Sequence, residues 1–434
     1  MRWAKPREIA VRVLLRREHT ARFVEDLMDT ETARHPLAPP DRRLLQELVC
    51  GVVRRQITLD WLIARKTTAR PQKPGLRILL RLGLYQLFWL DRVPDHAAVH
   101  ETVELAKQFG FGPQAAFVNA VLRGYARARA ATKALLEELK QTQPDLGHSH
   151  PAWLCERWEQ RWGRDPLLRL LEWNNTPPSS FARVNSLKTD PTQLAARWEH
   201  EGVKVIPRAW DWTGQGFVYE LEACPALDQV PSFQDGLFYV QDPSTLLAVQ
   251  DLDPQPGECV LDLCAAPGGK TTHLAQRMQN RGRIVACDLH PDRLELLRDN
   301  CARLGATIVE SALTSQLEEP AGEPGFDRVL VDAPCSNTGV MRRRVELRWR
   351  LRPEEIERLS GIQLDLLCQA ARRLKRGGTL VYSTCSLEPE ENDAVIQKLL
   401  ADHREFRLEH ERLLLPFVDG MDGAYVARLT RVAR

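Results

Sequence analysis

No stretch of this 434-residue sequence approaches the ~18 consecutive apolar residues that a membrane-spanning helix needs. No transmembrane segment and no membrane partner are expected. The opening residues, Met1-Arg2-Trp3-Ala4-Lys5-Pro6, lack the apolar centre of a secretory leader. The ten cysteines form no C-x-x-C pair, which argues against a disulfide framework and against a zinc cluster. Reduced thiols in the cytoplasm, and no metal, are the expectation. The dinucleotide signature G-x-G-x-x-G is missing as well, so a pyrophosphate cofactor such as NAD is not expected. There is no internal repeat and no low-complexity segment.

What is present is globular in character, with 43% hydrophobic and 27% charged residues. The length calls for two or three domains. Lysine is scarce, 11 residues against 49 arginines, and the net charge of +2 is unevenly placed. Residues 1–140 hold 25 basic and 15 acidic side chains, while the remainder holds 35 and 43. A basic front and an acidic rear suggest that the front touches a polyanion such as a nucleic acid.

Residues 5–130 read as helix after helix. Ile9, Val13 and Leu14 line one face, Asp41 reads as an N-cap for the run through Leu44, Leu48 and Val52, and Leu76–Leu90 is apolar enough to lie inside a bundle. Nothing there alternates with period two, so residues 1–140 are expected to be an all-α domain. Pro144, Gly147 and the polar run His148-Ser149-His150-Pro151 mark a boundary near 141–149. Residues 148–247 mix helices with short extended pieces, among them Phe181–Asn185 and Leu237–Val240, and read as a small α+β module. From 248 to 434, apolar strands alternate with amphipathic helices, the pattern of a doubly wound α/β sheet.

Two segments in that last region place chemistry at strand ends. Val260–Leu263 reads as a buried strand, Cys264-Ala265-Ala266-Pro267-Gly268-Gly269-Lys270 as the turn after it, and Thr271–Met278 as the opening of a helix. Glycine lets the backbone approach a ligand, and a helix start offers free N–H groups. Asp288 closes the next strand, 19 residues after Gly269, where an acid can grip a ribose hydroxyl pair. S-adenosylmethionine, which carries a ribose and no phosphate, suits such an acid-lined turn. The plain alternative is a turn that merely joins strand to helix; Asp262 and Asp288 in register speak against it.

Cys335 and Cys385 each follow a buried strand, Val329–Asp332 and Thr379–Ser383, amid polar turn residues. Cys50, Cys155, Cys224, Cys259, Cys287, Cys301 and Cys368 read instead as small core residues. If the two strands are neighbours, their ~4.8 Å spacing lets both thiols face one substrate ring. Carbon 5 of cytosine is a poor nucleophile until a thiolate adds to carbon 6, and a second group must then remove the carbon 5 proton. Methylation of an amine needs neither thiol. Asp332 stands ready to act on the ring nitrogen or to hold the cofactor, and the sequence leaves both open.

These motifs resemble those of the RNA 5-methylcytosine methyltransferases. Asp262–Lys270 is similar to the family's cofactor motif, Asp332-Ala333-Pro334-Cys335-Ser336 to its proline–cysteine motif, and Ser383-Thr384-Cys385-Ser386 to its threonine–cysteine motif. Phe181–Asn185 and Val240-Gln241-Asp242 also resemble family signatures. The resemblance implies a Rossmann-like class I methyltransferase sheet over 248–434, with Cys385 as nucleophile and Cys335 assisting product release. It implies S-adenosylmethionine bound by Cys264, Ala265, Ala266, Pro267, Gly268, Gly269, Lys270, Asp288 and Asp332. The front, including Phe117–Arg123, resembles a NusB-type RNA-binding domain, and the combination is similar to the branch of the family that acts on 16S ribosomal RNA; a monomer is expected. Two other readings stay open: the same chemistry on transfer RNA, and a non-catalytic RNA-binding factor.

Two departures carry expectations of their own. The family's acid after the third strand is missing from Ile308-Val309-Glu310-Ser311-Ala312-Leu313, so either Glu310 compensates or the cofactor is held more weakly. After Cys335 the family shows a basic pair, a proline and an acid, and Arg342-Arg343-Arg344-Val345-Glu346 lacks the proline, which would reshape the RNA-facing loop. With Arg348, Trp349 and Arg350 these arginines form a basic and aromatic cluster, with Trp349 either stacked on a base or packed inside.

Overall fold

A computed structural model describes residues 5–67, 72–317 and 325–432; the reading of the first residues as lacking a leader falls on Met1–Ala4, outside them. Two compact units result, Met1–Thr176 with Met341–Arg350, and Pro177–Val340 with Leu351–Arg434.

The first unit has no strand among its described residues. Four of its helices, Pro6–Arg17, Pro39–Arg54, Pro74–Trp89 and the short Pro144–Gly147, open on proline, whose fixed φ suits the first helical position and whose missing N–H costs nothing there. That preference moves one expected start. Ala38, not Asp41, caps Pro39–Arg54, and Asp41 sits in the first turn, where its charge favours the helix dipole. Pro74–Trp89 is buried on nearly every side, and even its polar residues are partnered, Arg81 forking onto Asp60 at 2.6 and 2.7 Å.

The polar stretch near 141–149 behaves differently from a linker. Ser149 accepts from the Ile57 N–H at 3.0 Å, and the Thr58 hydroxyl donates to the Leu146 carbonyl at 2.6 Å. His148, Ser149 and His150 are buried, and two more helices, Ala152–Trp162 and Arg164–Trp173, follow in the same unit. The expected module 148–247 therefore straddles the two units. Proline, glycine and polarity punctuate a chain identically whether water or the chain itself satisfies the polar groups.

The second unit contains two sheets. The smaller is antiparallel, in order β2-β3-β1-β4, formed by β1 (Ser180–Val184), β2 (Lys204–Arg208), β3 (Val218–Ala223) and β4 (Phe238–Val240). Helix Pro191–Glu201, capped by the Asp190 carboxylate, drops Leu194 and Trp198 into its core.

The larger sheet has seven strands: β5 (Cys259–Asp262), β6 (Arg283–Asp288), β7 (Val309–Leu313), β8 (Phe326–Asp332), β9 (Leu374–Thr384), β10 (Phe406–Leu414) and β11 (Ala424–Arg431). Their order is β10-β11-β9-β8-β5-β6-β7. Alternate strand residues enter two cores, as a doubly wound sheet demands. Val260, Ile284, Leu330 and Val381 pack with Leu274 and Leu297 on one face, and Leu261, Val285, Val329 and Leu380 with Leu367 and Leu399 on the other. β11 alone runs against its neighbours, because the short link from Leu414 to Ala424 cannot make the crossover that a parallel neighbour requires. The strand order reverses between β5 and β8, the switch point at which open α/β sheets bind ligands beyond the carboxyl ends of their strands.

Candidate active site

The residues singled out in the sequence gather at that switch point. β5 ends at Asp262 and β8 at Asp332, and β8 pairs with β9 in parallel, Asp332 opposite Ser383. Both thiol-bearing turns thus leave neighbouring strands. The Sγ atoms of Cys335 and Cys385 lie 3.2 Å apart. Cys335 is buried, whereas Cys385 is partly buried. The hydrogen bond to Cys385, then burial, pushes the Cys335 thiol well above the ordinary thiol range, and the nearby Glu391 charge adds to it.

Asn337 was not anticipated. Its backbone is left-handed, φ 59°, a conformation asparagine tolerates better than most residues. So held, its amide donates to the Cys335 carbonyl at 2.6 Å and its oxygen accepts from the Cys385 thiol at 3.0 Å. One side chain thereby sets both cysteines. Gly339 follows, and a Cβ there would lie 2.7 Å from the Gly423 carbonyl and 2.8 Å from that of Cys385, so the turn has no room for a larger residue. A polar residue two positions after a cysteine was the available signal; its backbone conformation was not.

Lys270, in the first turn of helix Gly269–Arg277, and Asp332, at the end of β8, form an ion pair at 2.7 Å, and the Ser383 hydroxyl donates to the other Asp332 oxygen at 2.8 Å. Burial works against the Lys270 charge, but the Asp332 carboxylate outweighs it and lifts the ammonium above its usual range. Asp262 is fully buried and accepts from the Thr271 hydroxyl at 2.7 Å. Burial raises its carboxyl to about 7.

The glycine turn after β5 is cradled from both sides. Gly268 takes φ 102°, which a side chain would strain, at the mouth of helix Gly269–Arg277. Asp288 accepts from the Ala266 N–H at 3.2 Å and the His290 N–H at 3.3 Å, with Arg293 at 3.4 Å. Arg183 from β1 is buried and donates to the Gly269 carbonyl at 2.7 Å and the Thr272 hydroxyl at 3.0 Å. Asn185 receives Gln276 at 2.7 Å. The signature Phe181–Asn185 is therefore a brace for helix Gly269–Arg277.

Both departures resolve. Glu310 faces Val285 in register and forks onto Arg283, the first residue of β6, at 2.6 and 2.9 Å. It lies toward the strand end opposite Asp288 and does not compensate for the missing acid. At the cofactor end of β7 stands Thr314, whose Oγ1 is buried with no hydrogen-bond partner among the described residues. The arginine cluster belongs largely to the helical unit rather than to an open loop. Arg348 is fully buried and donates to the carbonyls of Arg54, Ser149 and Asn174 and to the Asn175 side chain, at 3.0–3.3 Å. Trp349 is packed, its indole N–H on the Val53 carbonyl at 2.8 Å, and Arg342 lies 4.1 Å over the Trp173 ring. Burying a guanidinium demands this many acceptors, which the sequence could not display.

Comparison with known proteins agrees with the geometry. A model of the 16S rRNA methyltransferase RsmB/F family matches residues 249–430, a NusB family model residues 4–127, and a model of the ferredoxin-like domain of RsmF/B-like methyltransferases residues 150–214. The probable ribosomal RNA small subunit methyltransferase B of Synechocystis is 41% identical over 93% of this chain and 90% of its own length. The chain belongs to the RsmB/F family. A second RsmB-type relative, the probable enzyme of Bacillus subtilis, is 34% identical over 99% of this chain and all of its own. The solved structure of PH0851 superposes with a TM-score of 0.79 at 28% identity, covering 98% of this chain and 99% of that one. A methyltransferase homolog from Pyrococcus horikoshii, 32% identical, covers 69% of this chain and 99% of its own with a TM-score of 0.58.

As an RsmB/F member, the protein is an S-adenosylmethionine-dependent ribosomal RNA methyltransferase. The residues present fit that cofactor: a glycine turn at a helix start, an acid at the end of the second strand, and the orphan Thr314 hydroxyl near the third. Among the described residues no helix is long and apolar enough to cross a membrane, and no cluster of His, Cys, Asp or Glu is arranged to hold a metal.

Proposed function

We propose that this protein methylates carbon 5 of a cytosine in 16S ribosomal RNA through a covalent cysteine–cytosine adduct, as a single copy in the cytoplasm. The observation that carries the reading is the 3.2 Å separation of the Cys335 and Cys385 sulfurs at adjacent strand ends on the cofactor side of the sheet. When bound, S-adenosylmethionine supplies an electrophilic methyl group on sulfur. We assign its ribose to Asp288 and its remaining contacts to Cys264, Ala265, Ala266, Pro267, Gly268, Gly269 and Lys270.

Cys385, the more accessible thiol, adds as a thiolate to carbon 6, and the new C–S bond makes carbon 5 electron-rich enough to take the methyl group. Asp332 accepts from Lys270 and Ser383 and has further acceptor sites on its two oxygens, which suits it to accept from a ring N–H of the base. Adduct formation removes the Cys385 partner that most strongly holds the proton on Cys335. Cys335 then releases its proton to water more readily and can take the proton from carbon 5. The C–S bond breaks, its electrons return to Cys385, and the methylated base leaves. The basic excess of residues 1–140 supplies phosphate contacts for the RNA.

Replacing each cysteine tests the assignment. Cys385→Ala should abolish methylation and form no adduct. Cys335→Ala should accumulate a denaturation-resistant protein–RNA complex, seen as a shifted gel band that ribonuclease collapses. An adduct in Cys385→Ala but not in Cys335→Ala would reverse the roles. Full activity in Cys385→Ala would end the covalent reading.

A further inference from the structure

The β8–β9 ladder reaches Asp332 opposite Ser383, with the Ala333 N–H still on the Ser383 carbonyl at 2.9 Å. Each reactive thiol lies two or three residues beyond, in a turn of its own. The Gly339 N–H donates to the Cys385 carbonyl at 2.9 Å from the far side of one turn. Strand pairing alone therefore does not fix the distance between the two sulfurs; this one main-chain bond joins the turns, and side chains supply the remaining ties.

One side chain collects donors from both turns. Glu391, fully buried in the turn Pro389–Glu391, accepts from the Ser336 N–H at 2.8 Å and from the hydroxyls of Ser336 and Ser386. Ser336 and Ser386 are the residues immediately after the two cysteines, and their oxygens are 3.1 Å apart. Gln363, from helix Pro353–Arg373, donates to Glu391 at 3.0 Å and to the carbonyl of Pro334, the residue before Cys335, at 2.9 Å. The Tyr382 hydroxyl, within β9, holds the Glu391 main-chain carbonyl at 2.6 Å. A carboxylate has about four acceptor sites on two oxygens, which suits it to gather donors from three segments at once. Burial raises its pKa, and the donors pull against that rise.

We infer that Glu391 is a positioning residue of the methyl transfer: from beneath the turns it ties Ser336 to Ser386 and so holds the Cys335 and Cys385 sulfurs at the separation that lets one cytosine ring meet both. The inference rests on the two-thiol reading above and adds a residue to it. Glu391 touches neither the reacting atoms nor any residue assigned to the cofactor, so its loss should act on the step that needs both thiols and spare cofactor binding.

The test uses the full-length protein with Glu391→Ala, Glu391→Gln and, should the first fold poorly, the double variant Ser336→Ala/Ser386→Ala. Phenylarsine oxide reads the geometry independently of catalysis, because its arsenic binds tightly only where two thiols can bond to it together with loss of water. The expected result is at least tenfold weaker capture of phenylarsine oxide and a kcat lowered about 10²-fold, the scale of a misplacement near 1 Å. The KM for RNA and the calorimetric affinity for S-adenosylmethionine should stay within twofold. Glu391→Gln, which keeps one oxygen acceptor, should fall between wild type and Glu391→Ala. Unchanged kcat in Glu391→Ala or in the serine double variant overturns the inference, whether or not capture is lost. So does a fall in kcat with arsenical capture intact. Full activity of Cys385→Ala would instead remove the two-thiol reading, leaving the capture result to speak for the geometry alone.

Discussion

Residues 332–340 and 341–350 follow one another directly and use polar side chains to different ends. In the first stretch Cys335 and Asn337 are set by a few short bonds around a half-open thiol at Cys385. In the second, Glu346 and Arg348 are buried and held from several sides: Glu346 receives Arg17 at 2.7 Å, the Val24 N–H at 2.5 Å and Arg350 at 3.1 Å, and Arg348 finds four acceptors. Val345 beside them lies in the helical core. Both stretches look functional in one dimension, being charged or reactive and close to a catalytic motif. What separates them is whether the partners come from the protein or are left for a substrate.

The sharpest way to break that contrast is to remove Arg348. Arg348→Met should destabilise the helical unit by about 3 kcal/mol, because several buried acceptors lose their donor while a similar volume is kept. Its signature in chemical denaturation is a lower midpoint with the affinity for S-adenosylmethionine unchanged. A fully stable Arg348→Met that binds RNA poorly would return the cluster to the RNA-facing role first expected of it.

Asp288 tests the other side. Asp288→Ala should weaken S-adenosylmethionine at least tenfold, about 1.4 kcal/mol for the lost charge-assisted pair with the ribose. Calorimetry on the folded variant would remove the ribose assignment if affinity were unchanged. Glu310→Ala is the matched control at the opposite end of the neighbouring strand, and it should leave that affinity within twofold.

A smaller effect is expected from Asp262. Burial raises its folded carboxyl to about 7, so the native state keeps a proton that the unfolded chain has already released. The sign follows: stability falls as pH rises from the ordinary aspartate range toward 7. Between pH 6 and 7 the loss from this group should be about 1 kcal/mol. Asp262→Asn should flatten that part of the stability–pH curve in urea titrations, and an unaltered slope would contradict a protonated Asp262.

How far the sequence could be read differs between the same two kinds of region. The helical run of residues 5–130 and the strand-and-turn run Val260–Lys270 are local, set by apolar periodicity and glycine, so they were legible, although the helix start expected at Asp41 lies at Pro39. Residues whose role depends on distant partners were not. Arg183 looked like part of a signature and proved to brace the cofactor helix, reaching Gly269 and Thr272. Glu391, in Pro389-Glu390-Glu391-Asn392, has the look of a solvated acidic helix start and lies beneath the two cysteine turns. Glu310 was placed by its distance along the chain, but its pairing with Arg283 sets it toward the wrong end of the strand for a cofactor.

The sequence by itself determined the chemistry on offer: two cysteines in polar turns after apolar strands, a glycine turn with an acid one strand later, and a basic helical front. Residue type and short spacing carry such information because reactivity and backbone preference belong to single residues and their neighbours. The tertiary structure decided which groups meet. It brought two sulfurs from turns 50 residues apart to 3.2 Å, gave Asn337 the backbone that lets it hold both, and turned Arg348 and Glu391 inward. Burial makes a polar group depend on partners that only folding supplies, and those partners come from strand order and register rather than from nearness along the chain.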